Sequence, residues 1–329
     1  SSHGYGHASR QAAIFEEIHR IKPNWKLIVS SIVNRDFLDI AFSGIPIEHR
    51  RIKWDIGTIQ SDALGVNYSA TLENLKSHQK LLPEIIDAEF KWIKKQNSPV
   101  LIIGDIPPAA GELSSRLGCD LVWVGNFGWD DIYRPYGEKF NEYIDYSISQ
   151  YSKGKVILKP SFSMKMDWGV KEIQIGIIAS KTRMIDKEFL KKIGIKRTNV
   201  IFAFGGLGID IDFNLFKKWP GHLFLIPEVF DFKNKNTPSN VLFFPKEIRV
   251  LDLLPYCSRI ITKPGFSTFC EALTCKVGIH CVERENFEET DVLKRGLKKY
   301  GLNKFISKKE YLSGNWELDK ELTLPLEPL

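Results

Sequence analysis

The chain has 329 residues, 43% hydrophobic and 26% charged, with a formal net charge of +6 at pH 7. These proportions exclude a disordered or fibrous chain, the length suffices for two domains with separate cores, and no apolar run approaches the roughly 18 residues of a membrane span. Five cysteines (Cys119, Cys257, Cys270, Cys275, Cys281) make no CxxC pair and no zinc-like spacing with histidine, so buried, reduced thiols in a cytoplasmic protein are expected.

The chain opens on SSHGYGHASR, a glycine turn that leads into a helical rhythm from Ala8 to Ile21. Such turns ordinarily follow the first strand of a doubly wound domain, so a strand is expected ahead of Ser1. WKLIVSS (25–31) reads as a buried strand, and Ala70 to Lys95 as one or two helices broken near Pro83. VLIIGD (100–105), LVWVGNF (121–127) and KVILKP (155–160) read as further strands, with a turn and helix after the first of them. Between Pro160 and Gly176 the pattern is irregular, and a second series follows: NVIFAFGG, HLFLIP, NVLFFP, RIITKP and VGIHCVE. Strands alternating with helices predict a parallel α/β fold in two halves, residues 1–165 and 166–329.

Four segments carry candidate chemistry. In HGYGHASR, Gly4 and Gly6 permit close backbone approach, and His7 stands where turn becomes helix. An imidazole there can take a proton from a hydroxyl, or simply cap the helix; His3 is left unassigned. In FAFGGLG (202–208), Gly205 and Gly206 end a strand and can turn amides toward an anion. In RIITKPGFSTFCEAL (259–273), Gly265, Phe266, Ser267 and Thr268 open a helix whose amides suit a diphosphate, with Glu271 one turn inside to accept from ribose hydroxyls. An N-terminal capping box is the plainer reading of that stretch. In ERENFEE (283–289), loop carboxylates either bind sugar hydroxyls or are simply solvated. The basic clusters KKIGIKR and LKRGLKKY are solvated helix faces, or attract a phosphorylated substrate or an anionic membrane. No nucleic-acid recognition motif accompanies the charge.

Taken together the segments resemble GT-B glycosyltransferases. VLFFPKEIRVLDLLPYCSRIITKPGFSTFCEAL is similar to the donor region of the peptidoglycan N-acetylglucosaminyltransferase family. Nearly the whole chain resembles the glycosyltransferase-like N-terminal region of plant L-arabinokinases. HGYGHASR corresponds to a GHGFGHATR-type opening, GNFGWDDIYRPY to TNFSWDFIYAEY, and TKPGFSTFCEAL to GKIGYGTVSEAL. QSDALGV (60–66) and VERENFEE (282–289) also have counterparts in order, whereas the sugar-kinase domain of the plant proteins has none here.

The resemblance implies two Rossmann-like domains facing across a cleft, acceptor in the first and donor in the second. It implies a hexosyl- or pentosyltransferase that takes a nucleotide-diphospho sugar, a UDP-sugar before others, and inverts the anomeric centre without metal or other cofactor. His7 is then the base. Gly205, Gly206, Gly265, Phe266, Ser267, Thr268, Glu271, Glu288 and Glu289 face the donor, and Gly4, Gly6, Asp105, Asn126, Trp129 and Asp130 the hydroxyl acceptor. Trp129 stacks on a sugar or belongs to the core. DID (210–212) has the spelling of a metal motif, but its place in a loop argues against that role. Partners expected are the donor and acceptor, no nucleic acid, and a peripheral contact of the basic surface with the inner face of a membrane. A nucleotide-sugar epimerase or hydrolase and a non-catalytic sugar-binding module are the alternatives.

Overall fold

The computed structural model describes the chain except residues 2–3, 60–65, 195–197, 206–211, 229–236, 284–287 and 328–329. By packing it forms two compact units, Ser1–Ile177 with Asn286–Val292, and Ile178–Glu285 with Leu293–Leu329.

The first unit contains helices α1 (Gly6–Ile21), α2 (Arg35–Ala41), α3 (Tyr68–Lys95), α4 (Ala109–Leu117), α5 (Trp129–Tyr133) and α6 (Asn141–Tyr151). Its strands are β1 (Leu27–Ser30), β2 (Ile47–Arg50), β3 (Leu101–Gly104), β4 (Asp120–Val124), β5 (Val156–Lys159) and β6 (Lys171–Gln174). β1 and β2 pair in parallel, and β3-β4-β5-β6 form a separate four-stranded parallel sheet. The division between units falls at Ile177/Ile178 rather than at 165/166, because β6 pairs with β5 along its whole length. Its sequence, KEIQ, is exposed throughout, so it carries no apolar signal.

Pro83 does not break α3, which runs unbroken for 28 residues. An interior proline costs about 3 kcal/mol, and burial of Leu82 and Ile86 beside it offsets that cost at roughly 1.5–3 kcal/mol per side chain. Leu82 and Ile86 pack with Trp54, Ala109 and Leu113, joining α3 to α4.

The second unit contains α7 (Lys187–Ile193), α8 (Val250–Leu253), α9 (Phe266–Thr274), α10 (Glu289–Tyr300) and α11 (Lys308–Ser313), the start of α10 grouping with the first unit. Its strands are β7 (Thr198–Phe202), β8 (His222–Pro227), β9 (Val241–Phe244), β10 (Arg259–Thr262), β11 (Gly278–Val282) and β12 (Asn303–Ile306). They form one parallel sheet in the order β12-β11-β10-β7-β8-β9. Counted from β7, this is the strand order of a dinucleotide-binding Rossmann sheet, with its reversal between β7 and β10. Phe202, Phe216, Phe224, Tyr311 and Trp316 pack one face of it. β11 is buried at every position, as a central parallel strand must be.

All five cysteines are free; Cys270 and Cys281 are buried, while Cys119, Cys257 and Cys275 are partly exposed rather than buried as expected. Among the described residues no helix is long and apolar enough to cross a membrane.

Candidate functional site

In the first unit the site is built by the start of α1 and the carboxyl ends of β3 and β4. Gly4, at φ +79°, takes a left-handed conformation open to glycine, and Gly6 begins α1. His7, Arg10 and Gln11, three and four residues apart, share one helix face. That face meets Asp105, which follows β3, and Asn126, which follows β4.

The Asp105 carboxylate gathers the cluster. His7 Nδ1 lies 2.8 Å from its Oδ1. Arg10 donates to both oxygens, Nη2 to Oδ1 at 2.6 Å and Nε to Oδ2 at 3.0 Å, and Gln11 Nε2 donates to Oδ2 at 2.9 Å. Arg10 Nη1 donates to Asn126 Oδ1 at 2.8 Å, and Asn126 Nδ2 to Glu289 Oε1 at 2.7 Å. His7, Arg10, Asp105 and Asn126 are all buried. A buried carboxylate would ordinarily resist ionisation, but the guanidinium and imidazole beside Asp105 hold it well below the usual carboxylate range. Burial pushes His7 below its ordinary value against the pull of Asp105, and the Arg10 charge pushes the same way. An ionised carboxylate only accepts, so Nδ1 carries the ring proton and Nε2 keeps its lone pair. No side chain caps α1, so His7 is not a cap but the partner of Asp105.

Sequence reasoning gave Asp105 and Asn126 to an acceptor; the structure makes Asp105 the partner of His7 and joins Asn126 to Arg10. Arg10 and Gln11 were missed, although the i+3 and i+4 spacing from His7 was the available signal. Trp129 is a core residue: it is 1% exposed, and its Nε1 donates to Asp55 at 2.9 Å. The cavity it lines, with Trp54, His78, Tyr133 and Tyr146, measures about 50 Å³, room for a few waters, so stacking on a sugar is withdrawn. Asp130 is also buried, accepts from Trp168 Nε1 at 3.1 Å, and has its pKa pushed up to about 6 by burial and the neighbouring Asp131.

In the second unit the candidate donor residues collect at the strand-order reversal. Gly205 follows β7 and Gly265 follows β10, two adjacent strands in register. Ligands of open α/β sheets bind outside the carboxyl ends of strands at this point. Gly205, at φ +72°, is exposed; Gly206 and most of DID, with Asp210, lie outside the described residues. A Cβ at Gly205 would stand 4.0 Å from Lys263 Cε, so a lysine that sequence reasoning passed over flanks the turn. Gly265 is the N-cap of α9 with no side-chain cap, so the capping box that Ser267, Thr268 and Glu271 spell is not formed. Phe266 is buried, and Ser267 and Thr268 are partly exposed in the first turn. Glu271 keeps some exposure as a residue, yet burial of its carboxyl pushes the pKa up to about 7, with Arg249 opposing. Glu288 is exposed, and Glu289 groups with the first unit through Asn126. Among the described residues no three His, Cys, Asp or Glu side chains are grouped to hold a metal ion.

Two Rossmann-like units with parallel sheets define the GT-B fold of glycosyltransferases, and solved structures share it. UGT89C1 of Arabidopsis thaliana, complexed with quercetin, superposes with a TM-score of 0.64 at 11% identity, over 94% of this chain and 85% of its own. A Listeria monocytogenes protein assigned as a UDP-N-acetylglucosamine 2-epimerase gives 0.59 at 13% identity, over 96% and 85%. In sequence the chain is similar to the L-arabinokinase of Arabidopsis thaliana, 24% identical over 337 residues. That match covers 100% of this chain and 32% of the relative, so the chain spans about a third of the kinase's length. No family model matches.

Proposed function

We propose that the chain is an inverting glycosyltransferase that moves a sugar from a nucleotide-diphospho sugar, a UDP-sugar before others, to a hydroxyl acceptor. The acceptor oxygen attacks the anomeric carbon, its proton passes to His7 Nε2, and the bond to the diphosphate breaks. Asp105 orients the imidazole and balances the imidazolium that forms, the role of the carboxylate in a hydrolase triad. The leaving diphosphate is met by the amides of Gly205 and Gly206 and of the α9 start, with Lys263 beside them, and Glu271 accepts from the ribose hydroxyls. In this reading those groups do the work that other transferases give to a metal. Gly4 and Gly6 let the acceptor approach the backbone.

The observation that carries the reading is the buried His7–Asp105 pair at the strand ends of a GT-B chain: an imidazole with one nitrogen committed and the other available. A thermal-shift screen of UDP-, GDP-, ADP- and dTDP-sugars tests the donor. A ligand at 100 times its Kd stabilises by about 2.7 kcal/mol, so one nucleotide series should raise Tm above the others. Stabilisation by none would overturn the donor site. The fold likeness to the Listeria protein keeps an epimerase or hydrolase in view. Turnover of the nucleotide sugar without any acceptor would favour it.

A further inference from the structure

We propose that Arg10 is the positioning residue of this site, clamping the Asp105 carboxylate in one orientation against the His7 ring and tying it to Asn126. The proposal rests on reading His7 as the base.

Arg10 is 2% exposed. A guanidinium this deeply buried is tolerated only when its charge and donors are met. Here they are: Nε and Nη2 take the two oxygens of Asp105 as a fork, and Nη1 takes Asn126 Oδ1. The two carboxylate oxygens thereby become distinct. Oδ1 receives His7 and one arm of the fork; Oδ2 receives the other arm and Gln11. Rotation of the carboxylate would break both arms at once. Because Oδ1 is fixed and ionised, it selects the ring tautomer with the proton on Nδ1. Arg10 Nη2 also stands 3.0 Å from His7 Nδ1. Nη2 carries two hydrogens, one of them on Asp105 Oδ1; with the ring proton on Nδ1, that nitrogen has no lone pair to accept the other, so the approach is not a hydrogen bond to the ring. It is a positive charge set beside the imidazole that opposes imidazolium formation.

The charged groups facing His7 are Asp105 and Arg10, with Asp55 within electrostatic range; Phe127 offers a ring edge. Arg10 is the one among them that both bonds the orienting carboxylate and adds charge to the ring. Lysine has a compact head without a planar fork, so it cannot replace these contacts.

The test is ¹⁵N-histidine NMR of the whole chain, with the His7 signals assigned by H7Q, on wild type, R10K and R10M. In wild type the Nδ1–H tautomer should dominate, titrating below ordinary histidine. In R10M the midpoint should move upward and the tautomers mix. R10K keeps the charge and the fold if R10M does not, and its tautomers should still mix because the fork is gone. In turnover assays both variants should lose roughly 10- to 100-fold in kcat with donor KM held, less than the ~10⁴ that losing an orienting carboxylate costs. A His7 spectrum and midpoint in R10K identical to wild type would overturn the proposal, even with a lower Tm, since that result means packing alone. The NMR result stands whether or not any acceptor is turned over. Failure of the transferase reading therefore remains distinguishable from failure of this one.

Discussion

Replacing Asp105 with Asn keeps the side chain's shape and removes its charge. Four donors converge on that carboxylate: His7 Nδ1 at 2.8 Å, Arg10 Nη2 and Nε at 2.6 and 3.0 Å, and Gln11 Nε2 at 2.9 Å. Asparagine offers one acceptor oxygen, and its NH₂ must meet either the Nε and Gln11 donors or the Nη2 and Nδ1 donors. Arg10 is then a buried, uncompensated cation. Breaking a buried pair in this way costs about 3–5 kcal/mol, against about 5–15 kcal/mol for a typical folded domain. Urea unfolding followed by tryptophan fluorescence reports on the first unit, which holds Trp25, Trp54, Trp92, Trp123, Trp129 and Trp168. The folded-state pKa of Asp105 lies below its ordinary 3.8. Its stabilisation is therefore complete above that value and lost only as pH falls through the folded one. The gap between D105N and wild type should hold from about pH 8 to about pH 5. A loss under about 1 kcal/mol, or a gap that closes above pH 5, would refute the reasoning.

At Gly205 the left-handed φ of +72° admits a side chain only with backbone strain. Gly205→Val should cost about 1–2 kcal/mol of stability through that strain and weaken donor binding of the folded variant about tenfold or more, read by calorimetry; unchanged affinity would remove Gly205 from the donor site. Glu271, with its pKa raised from 4.5 to about 7, holds a proton that the unfolded chain releases. Its stabilisation is full below about pH 4.5 and is lost as pH rises through about 7. Donor affinity, which needs the carboxylate as acceptor, should rise over the same interval, and Glu271→Gln should flatten both curves. Trp129→Phe removes the donor to buried Asp55 and should cost about 1–3 kcal/mol by chemical unfolding, with kcat/KM held. A large fall in kcat/KM at unchanged stability would restore a sugar-contacting role to this residue.

The strands with continuous apolar runs, such as LVWVGNF and RIITKP, were legible because central parallel strands are buried on both faces. β2 (IEHR) and β6 (KEIQ) were not: both are polar, and β6 is exposed at every residue. Pro83 misled in the other direction, since local backbone chemistry could not register the buried face that keeps α3 whole. Within the site, His7 stood out by its glycine setting and Glu271 by its distance from the helix start. The pairing of His7 with Asp105 spans 98 positions and is invisible to any local pattern. Arg10 was hidden by its type, because a basic residue on a helix ordinarily faces water. Trp129 shows the opposite failure: aromatic character suggests a sugar platform, and burial among Phe127, Ile132 and Tyr133 decides against it.

The central claim is that His7 takes the acceptor's proton. The most direct measurement compares wild type with His7→Ala for binding of the nucleotide sugar selected by the thermal-shift screen, by calorimetry, and for sugar transfer to an acceptor. Removing a general base costs about 10²–10⁴-fold in rate. Transfer should fall by that factor while donor affinity stays within about twofold of wild type. Transfer at the wild-type rate in His7→Ala would contradict the claim.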